Sequence, residues 1–191
     1  MLKYLIPAVF CLLASLSACE PNVSEPMEPV SKTPPNTSIG EDEHLPSDPP
    51  MTLDSTMRLA LAEINAWRQK GCKCGDDYLA ATDEVAWNGK LYAAALAHAK
   101  DMYAKNYFSH TSPSGENVYH RLVGSGYIST SSSVLSYGEN IAFGDFDVKL
   151  VVQKWLESPS HCANIMRDSY REMAIAHEGN YWVQVFGARR E

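Results

Sequence analysis

The chain has no cluster of lysine and arginine. Its 16 basic residues are outnumbered by 23 acids, for a formal charge of −7. It therefore cannot offer the positive surface that displaces counterions from phosphates, and nucleic acid is excluded as a partner. Long hydrophobic runs are also missing. The one sustained apolar stretch, Leu5 to Leu16, stops short of the roughly 20 residues that a spanning helix needs. There is no internal repeat. Proline is scarce after residue 50, because eight of the 11 prolines lie between Pro21 and Pro50. What is present, 191 residues of which 45% are hydrophobic, suffices for one domain with a sizeable core and an appendage.

The appendage is legible at the N-terminus. Lys3, the apolar run and the small residues before Cys19 form a secretory signal, residues 1–18. Leu16-Ser17-Ala18-Cys19 resembles the lipobox of bacterial lipoproteins, in which cleavage precedes a cysteine that carries a diacylglyceryl thioether. The resemblance implies an exported protein anchored to the bacterial envelope through Cys19, since two or more acyl chains hold a protein stably on a bilayer. Glu20, where an aspartate would favour retention at the inner membrane of enteric bacteria, points to the outer membrane if the source has two. Residues 19–50 follow as a tether. They hold seven acids against Lys32 and almost no large apolar residue, so they cannot bury enough surface to offset their ordering entropy. At roughly 3.1 Å per residue, such a segment reaches several tens of ångströms. From Met51 onward 16 acids face 14 bases, and the domain spanning 51–191 is nearly neutral.

That domain reads as mixed α and β. Behind the capping residue Asp54, Met57, Ala60, Leu61, Ile64 and Trp67 recur at helical spacing until Gly71. A second helix runs from Asn88 to Asn106 with Leu91, Ala95, His98 and Met102 along one face; His98 there reads as a hydrogen-bonded core histidine. A third covers Glu116 to Val123, and a fourth starts near Asp147 with Val148, Val151, Val152 and Trp155 in register. Met173 to His177 and Tyr181 to Phe186 flank Glu178-Gly179-Asn180, a hairpin signal.

The stretch Trp155 to Met166 places His161 beside Cys162 behind Ser158-Pro159. Pro159 starts a new helix with Ser158 as its cap, so His161 sits in a first turn, where the positive helix end favours a neutral ring. Adjacent helical residues diverge by about 100°, which argues against a catalytic Cys/His pair. In an oxidising compartment Cys72, Cys74 and Cys162 are the remaining thiols. One bridge from Cys162 to the Cys72-Lys73-Cys74 loop leaves one thiol over. A metal site built from Cys72, Cys74 and His161 is the alternative, although C-x-C is tighter than the usual zinc pair.

Five segments appear in order: WNGKLYAAALAHAKDM, NYFSHTSPSG, YGENIAFG, the stretch around SPSHC and the terminal YWVQVFG. Together they resemble the bacterial branch of the CAP superfamily (cysteine-rich secretory, antigen 5 and pathogenesis-related 1 proteins). The resemblance implies an α+β fold, a three-layer α-β-α sandwich with a central antiparallel sheet. It implies a cavity lined by two histidines and a glutamate, which fall here on His110, His161 and Glu139. Glu139 is chosen over Glu116 because its Gly-Glu-Asn is followed by Ile-Ala. A second cavity glutamate follows a tryptophan in animal members, three residues on; Glu157, two after Trp155, is its counterpart. The resemblance also favours Cys74 over Cys72 as the partner of Cys162. Two neutral imidazoles with a carboxylate suit zinc or another divalent metal. The reading that follows is a binding or envelope-scaffolding module, ahead of a metal-dependent or acid/base hydrolase and of a lipid- or sterol-binding protein. Its expected partners are the membrane and a lipid or peptide ligand.

Overall fold

The computed structural model describes residues 52–129 and 133–190, all within one unit, Pro46–Glu191. The signal segment, Cys19 and the tether lie outside the described residues. The first helix, α1 (Ser55–Lys70), is capped by Asp54, whose carboxylate accepts from Met57 N at 2.8 Å. A small hairpin follows, β1 (Cys72–Cys74) against β2 (Asp77–Leu79), then the two-residue strand β3 (Ala86–Trp87). Asn88 caps α2 (Gly89–Lys105), and Asn106 ends it in the left-handed conformation at φ 52°. The expected face is buried: Leu91, Ala95, His98 and Met102 are all among its core residues. Helix α3 (Val118–Gly124) starts two residues later than the sequence suggested, because Asn117 and His120 form a reciprocal capping box that leaves Glu116 outside. Then come β4 (Ser133–Phe143), α4 (Val148–Glu157), α5 (Pro159–Ile165), β5 (Glu172–Glu178) and β6 (Tyr181–Arg190).

The main sheet has the order β3-β5-β6-β4. Its three long strands are antiparallel, with the short β3 pairing parallel to β5. Alternation along the strands builds two cores. Met173, Ile175, Trp182 and Phe186 pack with α1, α4 and α5, whereas Ala174, Ala176, Val183 and Val185 pack with residues of α2 and α3. This is the expected α-β-α sandwich. Among the described residues no helix is long and apolar enough to cross a membrane.

Strand β4 escaped the sequence reading. Ser136, Gly138, Glu139 and Asn140 look like a polar loop, yet they form an edge strand whose neighbours supply the apolar packing. At Gly138 a Cβ would fall 2.1 Å from Tyr170 Oη and 2.7 Å from Asn164 Oδ1, so close approach, not flexibility, requires glycine there.

Candidate functional site

The period-two geometry of β4 sends Glu139 and Asn140 to opposite faces of the sheet, and each positions one of the two histidines. Glu139 points toward α2 and α3. Its side chain is only 3% exposed, and Oε1 accepts from His110 Nδ1 at 2.8 Å. Arg121 Nη2, from α3, donates to both carboxylate oxygens at 2.9 and 3.1 Å. The same guanidinium donates to the carbonyls of His110 and Glu116 at 2.9 and 3.1 Å, tying the His110 loop to the carboxylate. His98 Nε2 lies 3.9 Å from Glu139 Oε1 and donates to the Ser109 carbonyl at 2.9 Å. It is the hydrogen-bonded core histidine anticipated from its helix face.

On the opposite face Asn140 Nδ2 donates to the backbone carbonyl of His161 at 3.2 Å and to Gln184 Oε1 at 2.9 Å. Asn164 Nδ2 donates to Asn140 Oδ1 at 2.9 Å. The start of α5 is thereby pinned to the edge strand. Ser158 makes no capping bond; its hydroxyl pairs instead with Ser160 Oγ at 3.4 Å. The His161 ring has no hydrogen-bond partner among the described residues.

Electrostatics follow from these contacts. Burial by itself would raise the Glu139 pKa, but the His110 hydrogen bond and the positive charge of Arg121 outweigh it and hold the carboxyl below its usual value. An ionised Glu139 only accepts, so the proton in the His110 contact sits on Nδ1 and the ring's second nitrogen, Nε2, faces away from the carboxylate. The His161 pKa is lowered first by burial and then by His110. The neutral ring expected from a helix end is thus favoured chiefly by burial. Burial likewise lowers His98.

Of the sequence-predicted residues, the structure brings His110 and Glu139 into contact, and holds His161 at the start of α5 through its backbone carbonyl. Among the described residues, the only three His, Cys, Asp or Glu side chains whose ligand atoms fall within 4.8 Å of one another are Cys72, Cys74 and Cys162. Glu157 is exposed and bound to Lys154 Nζ at 2.7 Å and Gln153 Nε2 at 3.1 Å. It lines a different pocket, with Trp67 and Cys72. Cys74 and Cys162 form the bridge, with Cα atoms 5.4 Å apart, and Cys72 is the free thiol. Arg121 and His98 complete the cluster. Sequence reasoning took His98 for core and passed over Arg121, since a buried arginine carries no mark that separates it from a surface one. The signal in hindsight is the duplicated Gly-Glu-Asn: Glu116 holds with its backbone the arginine that clamps Glu139.

The profile of the CAP family, the Cysteine-rich secretory protein family, matches residues 61–186. A Bacillus subtilis (strain 168) protein, "Uncharacterized protein YkwD", is 27% identical over 172 residues, which is 85% of this chain and 63% of that protein. An extracellular protein containing a SCP domain from Bacillus anthracis superposes with a TM-score of 0.58 at 25% identity, over 69% of this chain and 40% of that one. An outer surface protein from Borrelia burgdorferi superposes with a TM-score of 0.56 at 20% identity, over 70% and 92% of the two chains; this second likeness shows the fold alone. The chain thus spans less than two thirds of the length of the Bacillus subtilis relative and of the Bacillus anthracis structure. With the profile covering most of the domain and the sandwich and disulfide in place, the chain belongs to the CAP (cysteine-rich secretory protein) family.

Proposed function

We propose that the domain is an extracytoplasmic binding module, lipid-anchored through Cys19, whose edge-strand site takes a divalent cation between His110 and His161. The observation that carries this reading is the His110 contact: Nδ1 donates to a buried, arginine-clamped carboxylate at 2.8 Å. Histidines that ligate metals commonly give their other ring N–H to a carboxylate, which fixes the ring and raises its basicity. His161 supplies the second, unengaged imidazole. Glu139 then acts through His110, and water fills the remaining coordination positions. Such a two-imidazole site exchanges readily and binds zinc less tightly than closed structural sites. Protons compete for the imidazoles, so affinity falls as pH is lowered.

Calorimetric titration of the purified protein with Zn²⁺ tests this. Wild type binds one ion, and His110→Ala and His161→Ala each lose most of the affinity. Equal binding by the double variant refutes the reading. Anchoring has its own test: Cys19→Ser releases the protein from the membrane fraction, and attachment that survives a salt wash argues against a lipid anchor. A second reading rests on the same contact, because a carboxylate-oriented imidazole can serve as a general base. Hydrolysis of a peptide or ester library that vanishes in His110→Ala would select it.

A further inference from the structure

Away from the histidines, three sulfur atoms meet at the joint between β1 and α5. Cys72 and Cys74 are two apart on a strand, so their side chains share a face; both are buried there, while Lys73 between them is exposed. Cys162 projects into that face from α5. It is bridged to Cys74, yet its sulfur also lies 3.3 Å from the Cys72 sulfur, and the two β1 sulfurs are 3.6 Å apart. The C-x-C spacing thus sets two sulfurs on the one face that Cys162 enters.

We propose that Cys72, Cys74 and Cys162 form a thiol–disulfide exchange site in which Cys162 passes between two bridging partners. The Cys72 thiol gives up its proton, its side chain turns to bring the sulfur in line with the Cys74–Cys162 bond, and the thiolate attacks Cys162 Sγ. A Cys72–Cys162 bond forms as the Cys74–Cys162 bond breaks, and the electron pair leaves on Cys74, which takes up a proton. One disulfide and one thiol exist before and after, so no outside oxidant or reductant takes part.

The two states differ in what they present to solvent. Cys72 opens on a pocket of about 500 Å³ between α1 and α4, walled by Glu63, Trp67, Lys149 and Glu157, with Lys73 at its side. Cys74 and Cys162 do not line it. With the Cys74–Cys162 bridge in place the free thiol belongs to Cys72, the one of the three cysteines that lines the pocket, and at 8% exposure it reacts slowly with a small disulfide or alkylating reagent. After exchange the free thiol is Cys74, and the pocket offers a bridged sulfur. The flanking charges are two carboxylates and two ammonium groups, so they do not select strongly for thiolate, and burial pushes the Cys72 thiol pKa up. Exchange is therefore slow, within the minutes-to-hours range of uncatalysed rearrangements.

Lys73 makes the experiment direct, because trypsin cleaves between the two candidate cysteines. The native full chain is held near pH 8.5, where thiolate forms. Aliquots are blocked with N-ethylmaleimide at mildly acidic pH over a day, digested and mapped, with Cys72→Ser as the baseline. The expected result is a Cys72–Cys162 cross-link that rises severalfold to a plateau, matched by maleimide label moving from Cys72 to Cys74. Cys74→Ser should form the Cys72–Cys162 bridge unaided and keep a cooperative thermal transition. A fixed Cys74–Cys162 pattern throughout the native incubation, exchange seen only after unfolding, or a Cys74→Ser protein that stays a dithiol in air would each overturn the proposal.

Discussion

The two faces of the sheet carry clusters of opposite design. Toward α2 and α3, Glu139 is met by Arg121 on both oxygens and by His110. Every strong charge there has its partner, and removing one strands another out of water. Toward α1, α4 and α5, three buried sulfurs share a single bridge, so one contact can be lost and another made. The comparison teaches how a small fold assigns rigidity. Buried charge fixes a position because its alternatives are costly, whereas a spare thiol of equal reach leaves a second arrangement open.

The largest effect is expected on the charged face. Arg121→Met should destabilise the domain by about 3–5 kcal/mol, since it leaves the Glu139 carboxylate buried and unpaired. Adding Glu139→Leu should recover much of that loss, and chemical denaturation of the three variants measures both. Near-additive losses would show that the pair does not act as a unit.

Next comes the sulfur face. Cys162→Ser removes the residue common to both linkages and should cost about 2–4 kcal/mol under oxidising conditions, as expected for releasing a long loop. Cys72→Ser should change the unfolding midpoint little. Equal losses in the two would erase the distinction between bridge and spare thiol.

A smaller effect is expected from pH. The folded-state pKa values of His98 and His161 lie below the ordinary value of 6.5, chiefly through burial. The unfolded chain thus binds their protons more readily. The corresponding stability is present above about pH 6.5 and is lost as pH falls through the folded-state values, at no more than about 1.4 kcal/mol per pH unit for each proton. Glu139, also depressed, contributes stability above about pH 4.3 that is lost only at lower pH. Stability curves should therefore slope downward as pH falls below about 6.5, and His98→Gln should flatten that slope while leaving in place the loss at lower pH that comes from Glu139. An unchanged slope would assign the proton uptake elsewhere.

Much of this was legible in the sequence for identifiable reasons. Helices α1, α2 and α4 announced themselves because their caps, Asp54, Asn88 and Asp147, and their apolar periods agree. The β5–β6 hairpin did so through alternation around Gly179 and Asn180. His110, Glu139 and His161 were singled out by the resemblance of short motifs; of the two Gly-Glu-Asn glutamates, Glu139 is buried and Glu116 is exposed. What escaped depends on partners distant in the chain. β4 is a strand because β6 pairs with it along most of its length, which nothing in Ser-Tyr-Gly-Glu-Asn reveals. The Glu139 carboxylate is engaged by His110 and by both hydrogen bonds of Arg121, a partner that nothing in the Gly-Glu-Asn motif marks.

That last arrangement is the centre of the account, and the nitrogen resonances of the histidine rings report on it most directly. In a long-range ¹H–¹⁵N correlation spectrum of the labelled protein near pH 8, His110 should show a protonated Nδ1 and a bare Nε2, and added Zn²⁺ should shift His110 Nε2 together with one nitrogen of His161. A proton found on His110 Nε2, with both rings indifferent to zinc, would contradict it.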